Sequence, residues 1–399
     1  NKALRTLKWN AIQEGLETLS NRYELIVMEG AGSPAEVNLR EFDLANMEVA
    51  LHAGAPVLLV ADIDKGGSLA AVVGTLALLS EAERARVRGF IFNKFRGDKR
   101  LFDPASDFLK QQTGLPTLGL IPFDPTLSLM EEDALRRHTV FNGDPEIDIA
   151  IVAHRHLSNF TDFDPLMLEP GVMLRFVQTP IQLGRPDAVM LPGSKNTMHD
   201  LRHHFDTGLA QRVRTLAKEG VPVVGICGGY QMMGKELFDP YEAESTQGAL
   251  EGLNLLDVIT EFQKEKVTRR VSWRMSGQPP FFGDVEEAVQ GYEIHCGQTR
   301  PVDPIGNPAF FSTLQEDEEE GFVDATGLIF GTALHGLFEN DAFRRRFVNV
   351  LRQRKGLFPL QKPIPSFREF EDEQIERWAA FVSAHLDLKT ITRFMDHSK

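Results

Sequence analysis

Short apolar runs alternate with helix-like segments along the first third of the chain. Glu24–Met28 (ELIVM), Pro56–Ala61 (PVLLVA), Gly89–Asn93 (GFIFN) and Pro116–Ile121 (PTLGLI) are rich in Val, Ile and Leu. Runs of this length and content predict strands buried on both faces. Leu69–Leu79 and Ala105–Thr113 lie between them and predict crossover helices, so the region reads as a parallel sheet flanked by helices. Leu4–Leu19 has helical apolar spacing and leads straight into the first run.

Asp124–Pro145 breaks this rhythm with Pro125, a charged stretch (EEDALRRH) and Asn142-Gly143-Asp144-Pro145, so a domain boundary is expected there. The rhythm restarts with Ile147–Ala153, Asp187–Leu191, Pro222–Ile226 and Gly327–Leu334, a second α/β unit. Residues 260–300 alternate as antiparallel strands do, and Glu316–Glu320 reads as a solvated loop. Phe367–Leu388 predicts an amphipathic helix. The expected domains are residues 1–140, residues 146–350, and a helical extension over 351–399 packed on the second domain.

Composition narrows the function. With 43 Lys plus Arg against 57 Asp plus Glu, the net charge of −14 disfavours nucleic acid and anionic membrane as partners. The 399 residues are 42% hydrophobic and 25% charged, as in ordinary globular chains. Two cysteines, Cys227 and Cys296, exclude a disulfide scaffold and fit a reducing cytosol. No apolar run reaches the length of a membrane span.

The segment Val221-Pro-Val-Val-Gly-Ile-Cys227-Gly-Gly-Tyr-Gln-Met-Met-Gly234 reads as strand, sharp turn and helix. Gly225 and Gly229 flank Cys227 as glycines flank the nucleophile in a nucleophile elbow. The turn sets the thiol at a helix N-terminus, where free N–H groups favour thiolate, and aims the Gly228 N–H at a forming oxyanion. His335 follows a later strand and is a candidate base at the same sheet rim. Met190-Leu-Pro-Gly193-Ser194-Lys195-Asn196 ends another strand and could complete the oxyanion hole. Hydrolysis of a small amide through a thioester follows from such a set. The alternative is a buried structural thiol, the role expected for Cys296.

In the first domain, Glu29 follows the run Glu24–Met28, and Asp62 and Asp64 follow Pro56–Ala61. These carboxylates, with Asp43, are metal or substrate candidates; a helix-cap acid is the other reading of Glu29. Lys65 precedes Gly66-Gly67-Ser68, an anion-binding helix start or a plain N-cap. Arg96, Lys99 and Arg100 add positive charge for an acidic substrate, or are a solvated face. His199 and His203, beside His204, have metal-ligand spacing but no obvious third ligand, so an exposed helix face is expected; His154 and His156 read likewise. Phe160 and Phe163 are expected to pack between domains.

GICGGYQMMG resembles the nucleophile segment of class I glutamine amidotransferases. LPGSKNT (191–197), GYEIHCG (291–297), ALHGLFEN (333–340), EGAGSPAEVNL (29–39), VADIDKGG (60–67), NKFRGD (93–98) and SNFTDFDPL (158–166) together resemble the cobyric acid synthase family over nearly the whole chain. The resemblance implies an α/β fold: an N-terminal parallel-sheet P-loop-like synthetase domain, truncated, and a C-terminal class I glutamine amidotransferase α/β domain. It implies ATP- and glutamine-dependent amidation of four carboxylates of adenosylcobyrinic acid a,c-diamide in cobalamin synthesis, by a cytoplasmic enzyme.

Cys227 and His335 would then be catalytic, and Gly193, Ser194, Gly228, Gly229 and Gln231 would bind glutamine and the oxyanion. Glu29 would hold Mg²⁺. Asp43, Asp62, Asp64, Lys65 and Asn93 would bind nucleotide or substrate, with Asn93 on adenine. The partners implied are small molecules (glutamine, ATP and a corrinoid), with a homo-oligomer left open. Ammonia would need a shielded route across the domain interface.

Two departures stand out. The usual triad Glu two residues after the His is Leu337 here, as in this family, which leaves two expectations: a Cys–His pair acting alone, or Glu339 as the acid that orients His335. G-x-x-x-x-G-K-[ST] is missing, and the chain opens on Asn1, so about a quarter of a family member is expected to precede it. The cobyrinic acid a,c-diamide synthase and a non-catalytic module of the same fold remain as alternatives.

Overall fold

The protein is described by a computed structural model covering residues 2–124, 140–141, 144–246, 248–275, 288–303, 309–313, 319–363 and 365–396. Most of the boundary stretch expected near 124–145 lies outside them. The chain forms two compact units, Asn1–Ser128 with Glu373–Lys399, and Leu129–Asp372.

In the first unit, α1 (Lys2–Ser20) and α2 (Met47–Ala53) precede β1 (Val57–Asp62), α3 (Ser68–Leu78), β2 (Val87–Phe95), α4 (Asp103–Thr113) and β3 (Thr117–Pro122). The three strands pair in parallel in the order β1-β2-β3. Val72 and Leu76 of α3, Phe90 and Phe92 of β2 and Leu109 of α4 share one apolar core. This is the α/β alternation read from the runs, with one exception. Glu24–Met28 is not a strand: no ladder pairs it, and Leu25 and Val27 are 53% and 86% exposed. An apolar run becomes a strand only where a neighbour satisfies its backbone groups, so Glu29 follows an unpaired segment rather than a sheet strand.

The second unit is built on five parallel strands: β4 (Ile147–Val152), β5 (Val172–Val177), β6 (Ala188–Leu191), β7 (Val223–Ile226) and β10 (Ile329–Thr332). Their spatial order is β10-β7-β6-β4-β5. Pleat alternation explains why the runs read as continuously apolar. Ile147, Ile149 and Ile151 of β4 join one core, with Met190, Val224 and Phe330. Ala150 and Val152 join the other, with Leu191, Val223 and the helices α5 (Thr197–Asp206) and α6 (Leu209–Lys218). Two long strands, β8 (Val258–Met275) and β9 (Ala288–Pro301), pair antiparallel as the alternation over 260–300 suggests.

Phe163 and Phe160, expected to pack between domains, have ring partners in the second unit. Phe163 is buried within the second unit against Phe338, and Phe160 against Phe176. Nor is the acidic run a loop throughout: Glu319 and Glu320 open the strand Glu319–Val323, and Glu316–Glu318 lie outside the described residues.

After α8 (Asp341–Arg354), the tail contains α9 (Phe367–Ser383) and α10 (Leu388–Asp396). From Glu373 onward it belongs to the first unit, not the second as expected. The reason is the free edge of β3, whose backbone groups need partners. Asp387 N–H donates to Leu118 O at 2.7 Å and Leu120 N–H to His385 O at 3.3 Å. Leu386 lies so close to Gly119 that a Cβ there would sit 2.4 Å from it. Among the described residues no helix is long and apolar enough to cross a membrane.

Candidate active site

Three parallel strands end at one rim. Gly225 of β7 pairs with Leu191 of β6 and with Gly331 of β10. Beyond those ends come Gly193-Ser194, Cys227 and His335. Cys227 N–H donates to Thr332 O at 2.8 Å, fixing the thiol residue to the end of β10. Cys227 itself sits at φ 52°, the left-handed region that L-residues adopt at a cost. It caps α7 (Gly228–Met233), a helix of one and a half turns, so its first free N–H groups matter more than a long dipole.

The glycines around Cys227 are required by space. A Cβ on Gly225 would lie 2.4 Å from Met233 Sδ, and one on Gly229 would lie 1.9 Å from Leu191 O. A Cβ on Gly228 would fall 2.8 Å from the Ser194 backbone nitrogen, so the turn after Cys227 and the turn after β6 touch through backbone. Gly193 in turn faces His335: its Cβ would be 3.6 Å from His335 Cε1. Gln231 is buried beside them and accepts a hydrogen bond from Thr197 Oγ1 at 3.3 Å. The fold therefore gathers Gly193, Ser194, Cys227, Gly228, Gly229, Gln231 and His335.

His335 is 1% exposed. Its Nδ1–H donates to Asp162 Oδ2 at 2.8 Å, and the Gly336 N–H donates to Asp162 Oδ1 at 2.9 Å. Its other nitrogen, Nε2, is buried without a hydrogen-bond partner. Burial pulls the imidazole toward neutrality. The Asp162 carboxylate outweighs this, Cys227 adds to it, and the pKa is held well above the usual histidine value. Tyr292 stacks on the ring, with centroids 5.1 Å apart and planes 18° from parallel, and accepts a hydrogen bond from Asn159 Nδ2 at 2.8 Å. Burial pushes the Tyr292 phenol up to about 12, helped by Asp162, so it stays neutral beside the imidazole.

The orienting acid is thus Asp162 and not Glu339. Burial, then Glu371 and Asp162, raise the Glu339 carboxyl to about 7, while Asp162 already occupies His335 Nδ1. Asp162 comes from the segment Phe160–Leu168, anchored by the buried Phe163 and Leu166. Glu169, just after it, is fully buried and accepts from Arg344 Nε at 3.0 Å and Arg345 Nε at 2.6 Å of α8. The motif SNFTDFDPL contains Asp162, but 173 residues separate it from His335; spacing alone gives no sign of the pairing.

A cavity of about 210 Å³ opens on Cys227, bounded also by Gln231, Arg269, Glu293, His295 and Glu320. Glu293 is 2% exposed and accepts from Trp273 Nε1 at 3.1 Å and Arg269 Nε at 2.9 Å. Burial lifts Glu320 to about 7, against the pull of its bonds from the Ala333 N–H and the Thr332 hydroxyl. Strand alternation puts Glu293, His295 and Gly297 of β9 on one face, a signal present in GYEIHCG. Cys296 is a half-buried free cysteine.

In the first unit the candidates form two groups. Asp62 and Asn93 lie side by side at the ends of β1 and β2. Asp62 accepts from Lys94 Nζ at 3.1 Å and the Asp64 N–H at 3.0 Å. Burial works against Asp62, but these bonds and the charges of Lys94 and Lys65 hold its carboxyl below the usual range. Asp64 pairs with Arg96, whose guanidinium lies 3.5 Å over the Phe123 ring. Gly66 and Gly67 have φ of 73° and 68° and turn the chain into α3. The second group is Glu29 and Asp43. Asn46 donates to both Asp43 oxygens and to Ala31 O, tying Asp43 to the Glu29-Gly30-Ala31 segment.

Residues 148–343 match the family described as CobB/CobQ-like glutamine amidotransferase domain, and residues 2–131 match an AAA domain. A cobyric acid synthase of Moorella thermoacetica is 46% identical over 395 residues, covering 97% of this chain and 76% of that protein. One from Pelotomaculum thermopropionicum is 47% identical over 393 residues, covering 95% and 74%. A solved structure, "Structure of PurLQS from Thermotoga maritima", aligns with 53% of this chain and 99% of its own at 15% identity and a TM-score of 0.41, a likeness too low to bear on function.

Proposed function

Because the chain belongs to the cobyric acid synthase family, we propose that it takes ammonia from glutamine at Cys227 for the ATP-dependent amidation of adenosylcobyrinic acid a,c-diamide. The observation that carries the glutaminase half is the line Cys227–His335–Asp162: a half-buried thiol beside a buried imidazole whose Nδ1 is held by Asp162 and whose charged form both Asp162 and Cys227 favour.

The chemistry follows from that line. The Cys227 thiolate attacks the side-chain amide carbon of glutamine. The carbonyl oxygen becomes an oxyanion, and the N–H groups of Gly228 and the Gly193-Ser194 turn are its donors. His335, held protonated by Asp162, gives its proton to the departing nitrogen as the C–N bond breaks and ammonia leaves. His335 then takes a proton from water, which attacks the thioester and releases glutamate and the thiol. Asp162 never leaves His335: it fixes the ring's tautomer and balances the imidazolium. Glu293 and Glu320 suit the α-ammonium of glutamine, and Arg269 suits its α-carboxylate.

The ATP-dependent half rests on the first unit. A carboxylate is a poor electrophile until phosphorylated, and ammonia then displaces the phosphate. Glu29, an exposed carboxylate beside a glycine turn, suits Mg²⁺, because an ion bound to ATP phosphates needs only one or two protein carboxylates. The ion would neutralise phosphate charge. Lys65 and the Gly66-Gly67 turn suit an anionic oxygen, Asn93 the adenine, and Asp43, Asp62 and Asp64 the remaining polar contacts.

The deciding experiment supplies either glutamine or ammonia to the Cys227→Ala variant of the full-length enzyme, P-loop segment included, with ATP and adenosylcobyrinic acid a,c-diamide, and follows amide formation by mass. Glutamine should no longer support amidation, whereas ammonia still should. Amidation from glutamine at the unchanged rate would refute the reading. Cobyrinic acid as a parallel substrate separates this family from the a,c-diamide synthase.

A further inference from the structure

Behind the oxyanion turn lies a cluster that the glutaminase chemistry does not use. His156 follows β4, while His199 and Asp200 occupy the first turn of α5. The fold brings them together: His156 Nδ1 is 3.0 Å and His199 Nδ1 4.0 Å from Asp200 Oδ1. One ligand atom from each of the three lies within 4.8 Å of the other two. We propose that His156, His199 and Asp200 form a binding site for a divalent transition-metal ion of the Zn²⁺ type.

Three observations support this. The imidazoles are not stacked: their planes stand at 81° with centroids 4.9 Å apart, and the Nδ1 of each faces the same Asp200 oxygen. Metal–ligand bonds of roughly 2.0–2.2 Å put neighbouring ligand atoms about 3–3.5 Å apart in a tetrahedron, which small turns of the two histidine rings reach. The carboxylate, in contrast, is fixed in advance. Asp200 is fully buried, and its Oδ2 accepts from Ser194 Oγ at 2.6 Å and from the His156 N–H at 3.1 Å. Such outer bonds orient a ligating carboxylate. With Oδ2 held by Ser194, Oδ1 turns to the ion, and His156 moves its ring proton to the other nitrogen.

The donor set decides the class of ion. Two imidazoles and one carboxylate suit Zn²⁺, Co²⁺ or Ni²⁺, whereas Mg²⁺ and Ca²⁺ prefer oxygen alone. The side chains of His156 and His199 are 43% and 51% exposed, so the ion would keep a water-facing coordination position. The fold also supplies what the sequence spacing lacked: His199 finds its partners in His156 and Asp200, not in His203 four residues on. His204 turns inward instead, to a hydrogen bond with His154 at 2.7 Å.

The test is titration of the whole chain carrying Cys227→Ala, which removes the competing thiolate, with Zn²⁺ by calorimetry and with Co²⁺ by its visible absorption. One ion per chain is expected. His156→Ala and His199→Ala, both at exposed positions and checked for unchanged melting, should each weaken binding about tenfold or more. His203→Ala should leave it unchanged, and excess Mg²⁺ should not compete. No stoichiometric binding, or equal affinity after His199→Ala, would overturn the proposal.

Discussion

Asp162 is the residue on which the glutaminase half turns most sharply. Its two oxygens hold both the His335 ring and the backbone after it, so Asp162→Asn keeps the shape while removing the charge. The expected loss in kcat is about 10²–10⁴-fold, with KM for glutamine little changed, because the interaction grows as the imidazolium acts. The carboxylate raises the His335 pKa, so its loss should also move the alkaline limb of the pH profile to lower pH. A uniform fall in rate with the profile unmoved would make Asp162 merely structural. A second residue-scale effect concerns His154 and His204. Burial lowers their pKa values to about 4 and about 3, with His154 also depressing His204. Both fold as neutral rings. The stability they carry is complete above their unfolded pKa near 6.5 and is lost as pH falls toward 4, the two rings titrating as a pair. Urea midpoints between pH 7 and 4 should show this loss, and His204→Asn should reduce it.

At the level of elements, the site depends on segments meeting without side chains between them. Glycine at 228 and 229 lets the turn and the start of α7 lie directly on the Ser194 and Leu191 backbone, and glycine at 225 lets α7 fold back onto β7. That much was legible, since G-x-C-x-G between an apolar run and a helix has a single steric meaning. The Asp162 segment was not. It has no regular period, contains Pro165, and is placed by long-range burial, with Glu169 between two arginines of α8. Removing the charge at Glu169 takes the carboxylate from the buried Arg345 and leaves the buried Arg344 with Asp341 alone. Glu169→Gln is therefore expected to cost about 3–5 kcal/mol by chemical denaturation and to lower glutaminase activity by freeing Asp162. Full activity in a variant destabilised by that amount would show that the clamp serves stability alone.

On the scale of the whole molecule, local pattern carried far but not everywhere. The buried parallel strands were readable because both faces are apolar, and the strand-end rule then put Cys227 and His335 at one rim. Glu24–Met28 has the same composition as those strands yet pairs with no strand among the described residues, since a ladder partner is not a property of the run itself. The tail joins the first unit only from Glu373 onward, for a related reason: the free edge of β3, which Leu386 and Asp387 cover, is a feature of sheet order, not of helix pattern. Asp162 lies 173 residues before the histidine it orients, a distance that only the folded chain closes. The claim beneath all of this is that one of two thiols forms a covalent bond to glutamine's side chain. A glutamine-shaped chloroketone tests it directly, read by peptide mass on the purified chain. The expected result is one adduct on Cys227, none on Cys296, loss of glutamate release in step with labelling, and protection by glutamine. Labelling of Cys296 instead, or continued glutamine hydrolysis by a chain fully labelled at Cys227, would contradict it.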